Sequence, residues 1–144
     1  MELTKFDAYD IPPSNVRISR TEFVAVWRAA VRRGEEQATH GVTDWYAGGV
    51  SLTCRWLAAA PIRSSCGRGS LPRSPATRQA VVAYEELIEA EYLAAELLEQ
   101  RRPDLVRSRP GWCEAVRATL LWAWRGQGPP PIDLAETVPQ DGQV

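Results

Sequence analysis

The most apolar stretch of helical period in the chain runs from Val42 to Ala60. At about 100° per residue, Trp45, Leu52 and Trp56 form one face, and Tyr46, Val50, Cys54 and Leu57 form another. Asp44, Gly48, Ser51 and Arg55 share one narrow polar strip, spaced i, i+4, i+7 and i+11. A helix apolar round most of its circumference needs neighbours on several sides. This segment is therefore expected to be the central helix of a small bundle, with Thr43 as its N-cap and Asp44 in its first turn. Its length would suit a membrane span, but Asp44, Arg55, two glycines and Pro61 argue against one. Gly48 and Gly49 in mid-helix cost about 1 kcal/mol each relative to alanine, which implies that another backbone, or a ligand, comes close there.

Three further helices are predicted around it. Ser19, Arg20, Thr21 and Glu22 form a capping box, with Ile18 and Phe23 placed as its hydrophobic staple. Phe23, Val24, Trp27, Ala30 and Val31 then make one stripe, opposite Arg28 and Arg32. Gly34 offers a possible stop, but Glu35, Glu36 and Gln37 favour continuation towards Gly41. Ser74 and Pro75 read as the N-cap and N1 of the longest helix, 76–101, with an apolar stripe of Val81, Tyr84, Leu87, Ile88, Tyr92, Ala95 and Leu98. The last helix, 111–125, follows Pro110 and carries Trp112, Val116, Leu120, Ala123 and Trp124 on its broad apolar side.

The fold class expected is all-α: four main helices in 19–125, with a long basic loop between the second and third. Residues 1–18 read as an extended arm packed through Phe6, Tyr9, Ile11, Val16 and Ile18. Residues 126–144 are proline-rich, acidic and short of hydrophobes, and read as a flexible tail.

The 144 residues fit one domain, and a formal net charge of −1 gives no global case for nucleic-acid or membrane-surface binding. The distribution matters more. No acidic residue stands between Asp44 and Glu85, whereas Arg55, Arg63, Arg68, Arg73 and Arg78 all do. The loop 61–75 could offer guanidinium groups and amides to an anion, although Gly67 and Gly69 do not match a phosphate-binding loop. Sixteen arginines against the single Lys5 suggest genomic GC bias as much as dedicated contacts. Cys54, Cys66 and Cys113, with one histidine, support neither a zinc site nor a disulfide framework, and no metal or cofactor is expected. The absence of an apolar leader points to the cytoplasm.

Candidate chemistry is thin. Glu91 falls inside an apolar stripe, so it needs a partner, and Arg55 is the first candidate. The two would form an internal ion pair, or a polar pocket with Asp44 and Ser51. Glu85, Glu89 and Glu96 lack the histidines and matching acids of a di-metal bundle and read as a solvated face. His40, Asp44 and Ser51 do not resemble a nucleophile elbow. Trp122 and Trp124 point about 160° apart, so both are buried only if their helix is covered on two sides. One of them is therefore a candidate for a partner surface or for the N-terminal arm.

These features point first to a non-enzymatic, cytosolic protein-interaction module, an adaptor or regulatory subunit with a protein partner or a second copy. A nucleic-acid-binding regulator using Arg63, Arg68, Arg73 and Arg78, with Arg17, Arg20, Arg28 and Arg32 as further contacts, is the alternative. A ligand or enzyme pocket around Asp44, Ser51, Arg55 and Glu91 is a third.

Overall fold

The computed structural model describes residues 3–63 and 69–134. The chain is mostly helical, with seven helices among the described residues. They are α1 (Lys5–Tyr9), α2 (Arg20–Thr39), α3 (Trp45–Leu57), α4 (Glu85–Glu96), α5 (Leu98–Arg101), α6 (Pro103–Ser108) and α7 (Trp112–Ala123). The two strands, β1 (Ile62–Arg63) and β2 (Gly69–Ser70), make a minimal antiparallel hairpin pairing Ile62 with Ser70 and Arg63 with Gly69. No helix among the described residues is long and apolar enough to cross a membrane.

The apolar helix expected near the centre is α3, and it packs against α2 on one side and α7 on the other. Asp44, not Thr43, is its N-cap: the carboxylate accepts from the Ala47 amide at 2.9 Å while also taking Arg33 Nε at 2.7 Å. A carboxylate satisfies the orphan amide and the positive end of the helix at once, which a threonine hydroxyl cannot. Ser19 caps α2 as expected, and α2 runs through Gly34 to Thr39. Its buried residues Phe23, Val26, Trp27, Ala30 and Val31 keep the helical spacing.

The two central glycines differ. A Cβ on Gly49 would stand 2.8 Å from Ala115 Cβ and 3.0 Å from the Trp112 carbonyl, whereas one on Gly48 would meet nothing within 4 Å. Gly49 therefore sets how closely α3 approaches α7. Next to it, Gly111 caps α7 at φ +92°, close against Tyr46. α7 is covered on its other side by α4, and so both Trp122 and Trp124 are buried. Trp122 stacks on Phe23 with ring centroids 6.1 Å apart.

The expected helix 76–101 is corrected at its start. Residues 71–84 are not helical, and α4 begins only at Glu85. Ser74 is not a helix cap but the clasp of a tight turn. Its amide donates to the Gln79 carbonyl at 2.8 Å, its carbonyl accepts from the Arg78 amide at 2.9 Å, and its Oγ accepts from the Gln79 amide at 2.9 Å. Arg78 sits at φ +61°, a conformation a helix does not allow. The strand of chain beyond it crosses the end of α3, where Trp56 Nε1 donates to the Val81 carbonyl at 2.9 Å. Tertiary hydrogen bonds outweigh the local helical pattern here.

Both chain ends also differ from expectation. Residues 1–18 contain α1, started by a capping box between Thr4 and Asp7, and a 3-10 turn at Pro13–Asn15. Ile11 and Val16 are buried and Ile18 partly so, whereas Phe6 and Tyr9 are exposed. Of the tail, Ile132 is buried and the Pro131 carbonyl accepts from the Tyr46 hydroxyl at 2.8 Å, so this part docks on the core. The rest of the tail, 135–144, lies outside the described residues.

The glycine contrast is testable by urea unfolding. Gly49→Ala should destabilise by about 1–3 kcal/mol, because the methyl meets backbone and a short side chain that cannot turn away. Gly48→Ala should instead stabilise by up to about 1 kcal/mol, the helix-propensity difference alone.

Candidate functional site

The four residues considered as one polar pocket are placed in three different settings. Arg55 is buried on α3 and reaches back to the N-terminal segment: Nη1 lies 3.6 Å from Asp7 Oδ2 and donates to the Pro61 carbonyl at 3.0 Å. Its guanidinium also lies over Trp27, 5.2 Å from the ring centroid. Arg55 therefore ties α1 and the end of α3 to α2. Glu91 is buried as its phase implied, but its partner is not Arg55. The carboxylate accepts from the amides of Ala76 and Thr77, at 2.8 and 3.0 Å, and from the Thr77 hydroxyl. Backbone amides of a returning turn, invisible to helical periodicity, answer the need for a partner.

Asp44 and Ser51 do share a space, a cleft of about 340 Å³ between α2 and α3 also bordered by Gly34, Ala47 and Gly48. The small residues open it. Within it Asp44 is already engaged by Arg33 and the Ala47 amide, and His40 is not among its lining residues. No group of three potential metal ligands gathers among the described residues. Burial pushes the Cys54 thiol well above its usual pKa, which makes it a core side chain rather than a nucleophile. Cys113 is raised in the same direction, again chiefly by burial.

Trp122 and Trp124 are corrected as partner-binding candidates, because both rings are buried within the chain. Arg17, from the N-terminal segment, lies over the Trp124 ring at 4.3 Å, so that segment supplies the cover. Trp124 Nε1 donates to Glu89 at 2.8 Å, and Arg125 donates to the same carboxylate. The Trp124 bond is the main reason the Glu89 pKa falls below its usual 4.5.

Of the basic candidates, the Arg63 side chain and all of Arg68 lie outside the described residues. Arg73 is exposed and donates to the Arg78 carbonyl at 3.0 Å. Arg78 Nη1 is buried without a hydrogen-bond partner. Burial lowers the Arg78 pKa, with further lowering from Arg109 and Arg73 and an opposing effect from Glu91. Arg73 thus meets Arg78 at the 74–79 turn, and the charge of Arg109, whose guanidinium lies over the Trp45 and Trp112 rings, also acts on Arg78. Arg20 donates to the Tyr9 carbonyl, and Arg28 and Arg32 stand exposed on α2.

A feature that periodicity did not single out is the outer side of α2. A cleft of about 470 Å³ lies between α1 and α2, with Tyr9, Val24 and Ala25 among its walls and Lys5, Arg20 and Arg28 around it. A second opening of about 270 Å³ follows along α2 and shares Arg28 with the first. That opening in turn shares Val31 and Glu35 with the α2–α3 cleft that holds Asp44 and Ser51. Together the three adjoining clefts make a furrowed margin along α2 over residues 21–38, about 25 Å at the helical rise. The signal was present in the small, mixed positions Thr21, Ala25 and Ala38, but nothing in the sequence alone says that α1 folds up beside them.

Neither a family model, nor a curated protein, nor a solved structure matches this chain. Function is therefore argued from its own surface.

Two measurements check this placement of the buried charges. Arg55→Met removes the guanidinium facing the buried Asp7 carboxylate and should cost about 3–5 kcal/mol. Glu91→Ala should cost about 1–3 kcal/mol and speed hydrogen exchange at the Ala76 and Thr77 amides, which Arg55→Met should leave protected relative to global unfolding. The depressed Glu89 pKa has a definite sign. Its stabilisation is complete above pH 4.5, the unfolded value, and is lost as the pH falls through the lower folded value. The loss of stability between pH 7 and pH 3 should therefore be smaller in Trp124→Phe than in the parent, as read by urea unfolding.

Proposed function

We propose that this chain is a non-enzymatic, cytosolic protein-interaction module, an adaptor or regulatory subunit built as a four-helix bundle that presents the outer face of α2 to a protein partner. The observation that carries this reading is the row of three adjoining clefts along α2, with the exposed Tyr9 ring in the wall of the first. Large rings left uncovered beside an apolar cleft are a common mark of a protein-binding surface. The buried charges support the same reading from the other side, since Asp7, Arg55 and Glu91 have structural partners rather than an open site to serve.

A second reading, binding of a nucleic-acid phosphate backbone, has one observation in its favour. Arg73 meets Arg78 at the 74–79 turn, the charge of Arg109 also acts on Arg78, and the buried Arg78 Nη1 lacks a partner. Such binding would weaken steeply with salt through counterion release.

Native mass measured on the tagged chain from its own lysate, with and without nuclease, separates the two. The interaction reading expects a nuclease-resistant complex heavier than the 16.0 kDa chain, and that complex should be lost in Val24→Arg. A bare monomer, or a complex indifferent to Val24→Arg, would overturn it. Mass that disappears with nuclease and falls in Arg78→Gln would favour the second reading.

A further inference from the structure

The α1–α2 end of the furrow has an apolar floor and a cationic rim. Val24, Ala25 and the Tyr9 ring supply apolar surface, while Lys5, Arg20 and Arg28 line the same cleft. No carboxylate is among the described residues lining it. Of the acids next in sequence to lining residues, Asp7 is buried, closes the capping box of α1 and faces Arg55, whereas Asp10 and Glu22 are exposed but do not line the cleft. Tyr9 is 75% exposed, so much of this apolar surface is open to a partner.

We propose that this cleft receives an acidic amphipathic helix of a partner protein, its aromatic or aliphatic side chains seated on the floor and its Asp or Glu residues set against Lys5, Arg20 and Arg28. The inference rests on the interaction reading above and adds the chemistry of the partner. Three arguments select this occupant. The walls are helices whose backbone groups are already bonded internally, so an extended peptide finds no edge to pair with; an incoming helix satisfies its own backbone and needs only side-chain contacts. A symmetric second copy would bring the same three cations face to face, an arrangement that like charge disfavours. One cation of the rim, Arg20, is also held in place before binding. Arg20 Nη1 donates to the Tyr9 carbonyl at 2.9 Å, and its guanidinium lies over the Tyr9 ring at 5.4 Å. α1 itself is held to α3 through Asp7 and Arg55. Arg20 and α1 thus need little ordering on association, which favours binding by so short a wall.

Lengthwise, the helix follows α2. Past Arg28 the furrow carries Arg32 and then Glu35, so the charge changes sign towards its far end. A bound helix with acids near one end and a basic or neutral residue near the other would be oriented by that gradient.

The test lets the protein choose its ligand. A displayed library of randomised peptides of about 16 residues, about 24 Å as a helix, is panned on the full chain. Enriched sequences should carry Asp or Glu together with Leu, Phe or Trp at i, i+3 or i+4, and i+7. Their affinity should fall at least about tenfold in Arg28→Glu, an exposed position where a substitution should change stability only slightly, and recover when the peptide acids are changed to Lys. Tyr9→Ala should weaken them without any such recovery. Enrichment of neutral or basic peptides, or affinity indifferent to Arg28→Glu and Tyr9→Ala, would overturn the acidic-helix inference while leaving an interaction module in place. No enrichment of any peptide would overturn both. Displacement of the peptides by a single-stranded oligonucleotide at low salt would assign the rim to phosphate and overturn the inference.

Discussion

The close approach of α3 to α7 at Gly49 is the constraint on which the rest of the molecule depends. With Trp112 and Ala115 where a side chain would stand, the two helices meet nearly backbone to backbone, and the bulk of α3 is directed elsewhere. Trp56, Leu57, Val50 and Cys54 are buried, which leaves α2 and the irregular segments to cover what α7 does not. α7, pressed on one side by α3, is closed on the other by α4. Each helix thus has its place because its neighbour's apolar circumference is too wide for a single contact.

Polar groups then fasten the parts that are not helical. Asn15, buried in the 3-10 turn, donates to the carbonyls of Leu57 and Ala83 at 2.8 and 3.2 Å. It joins the end of α3 to the segment leading into α4. Arg55 joins α1 to the same region, and Glu91 holds the 74–79 turn through two amides and a hydroxyl. Each is a single side chain serving backbone or charge that would otherwise be buried unpaired. The molecule spends its internal polar residues on connections between segments, and this is why so few converge on one space.

What remains uncovered is the outer side of α2. Its inner side is committed to α3, and α1, only five residues long, shelters part of the other. The result is a rigid helix with an open margin, lined by small side chains and edged by arginines. On the reading proposed above, this long margin is where a partner helix docks.

Local periodicity and capping chemistry were enough to read an all-α chain. The buried α3, the Ser19 start of α2 and the burial of Glu91 were all legible from spacing, since each is set by residues within a turn or two of one another. The partner of Glu91 was not, nor was the end of helical structure before Glu85. Both depend on a turn at 74–79 that is stabilised by residues far along the chain, and a pattern that reads helically in isolation yields to hydrogen bonds supplied by Trp56 and Asn15. The same holds for the candidate site. Trp122 and Trp124 carried the signature of an interface, yet their surface is consumed by Phe23, Glu89 and Arg17. The furrow on α2 emerges instead from α1 folding beside it. Spacing along a helix says which side chains share a face; which face is left open is set by the segments that return to cover it, and these are long-range contacts that no local window contains.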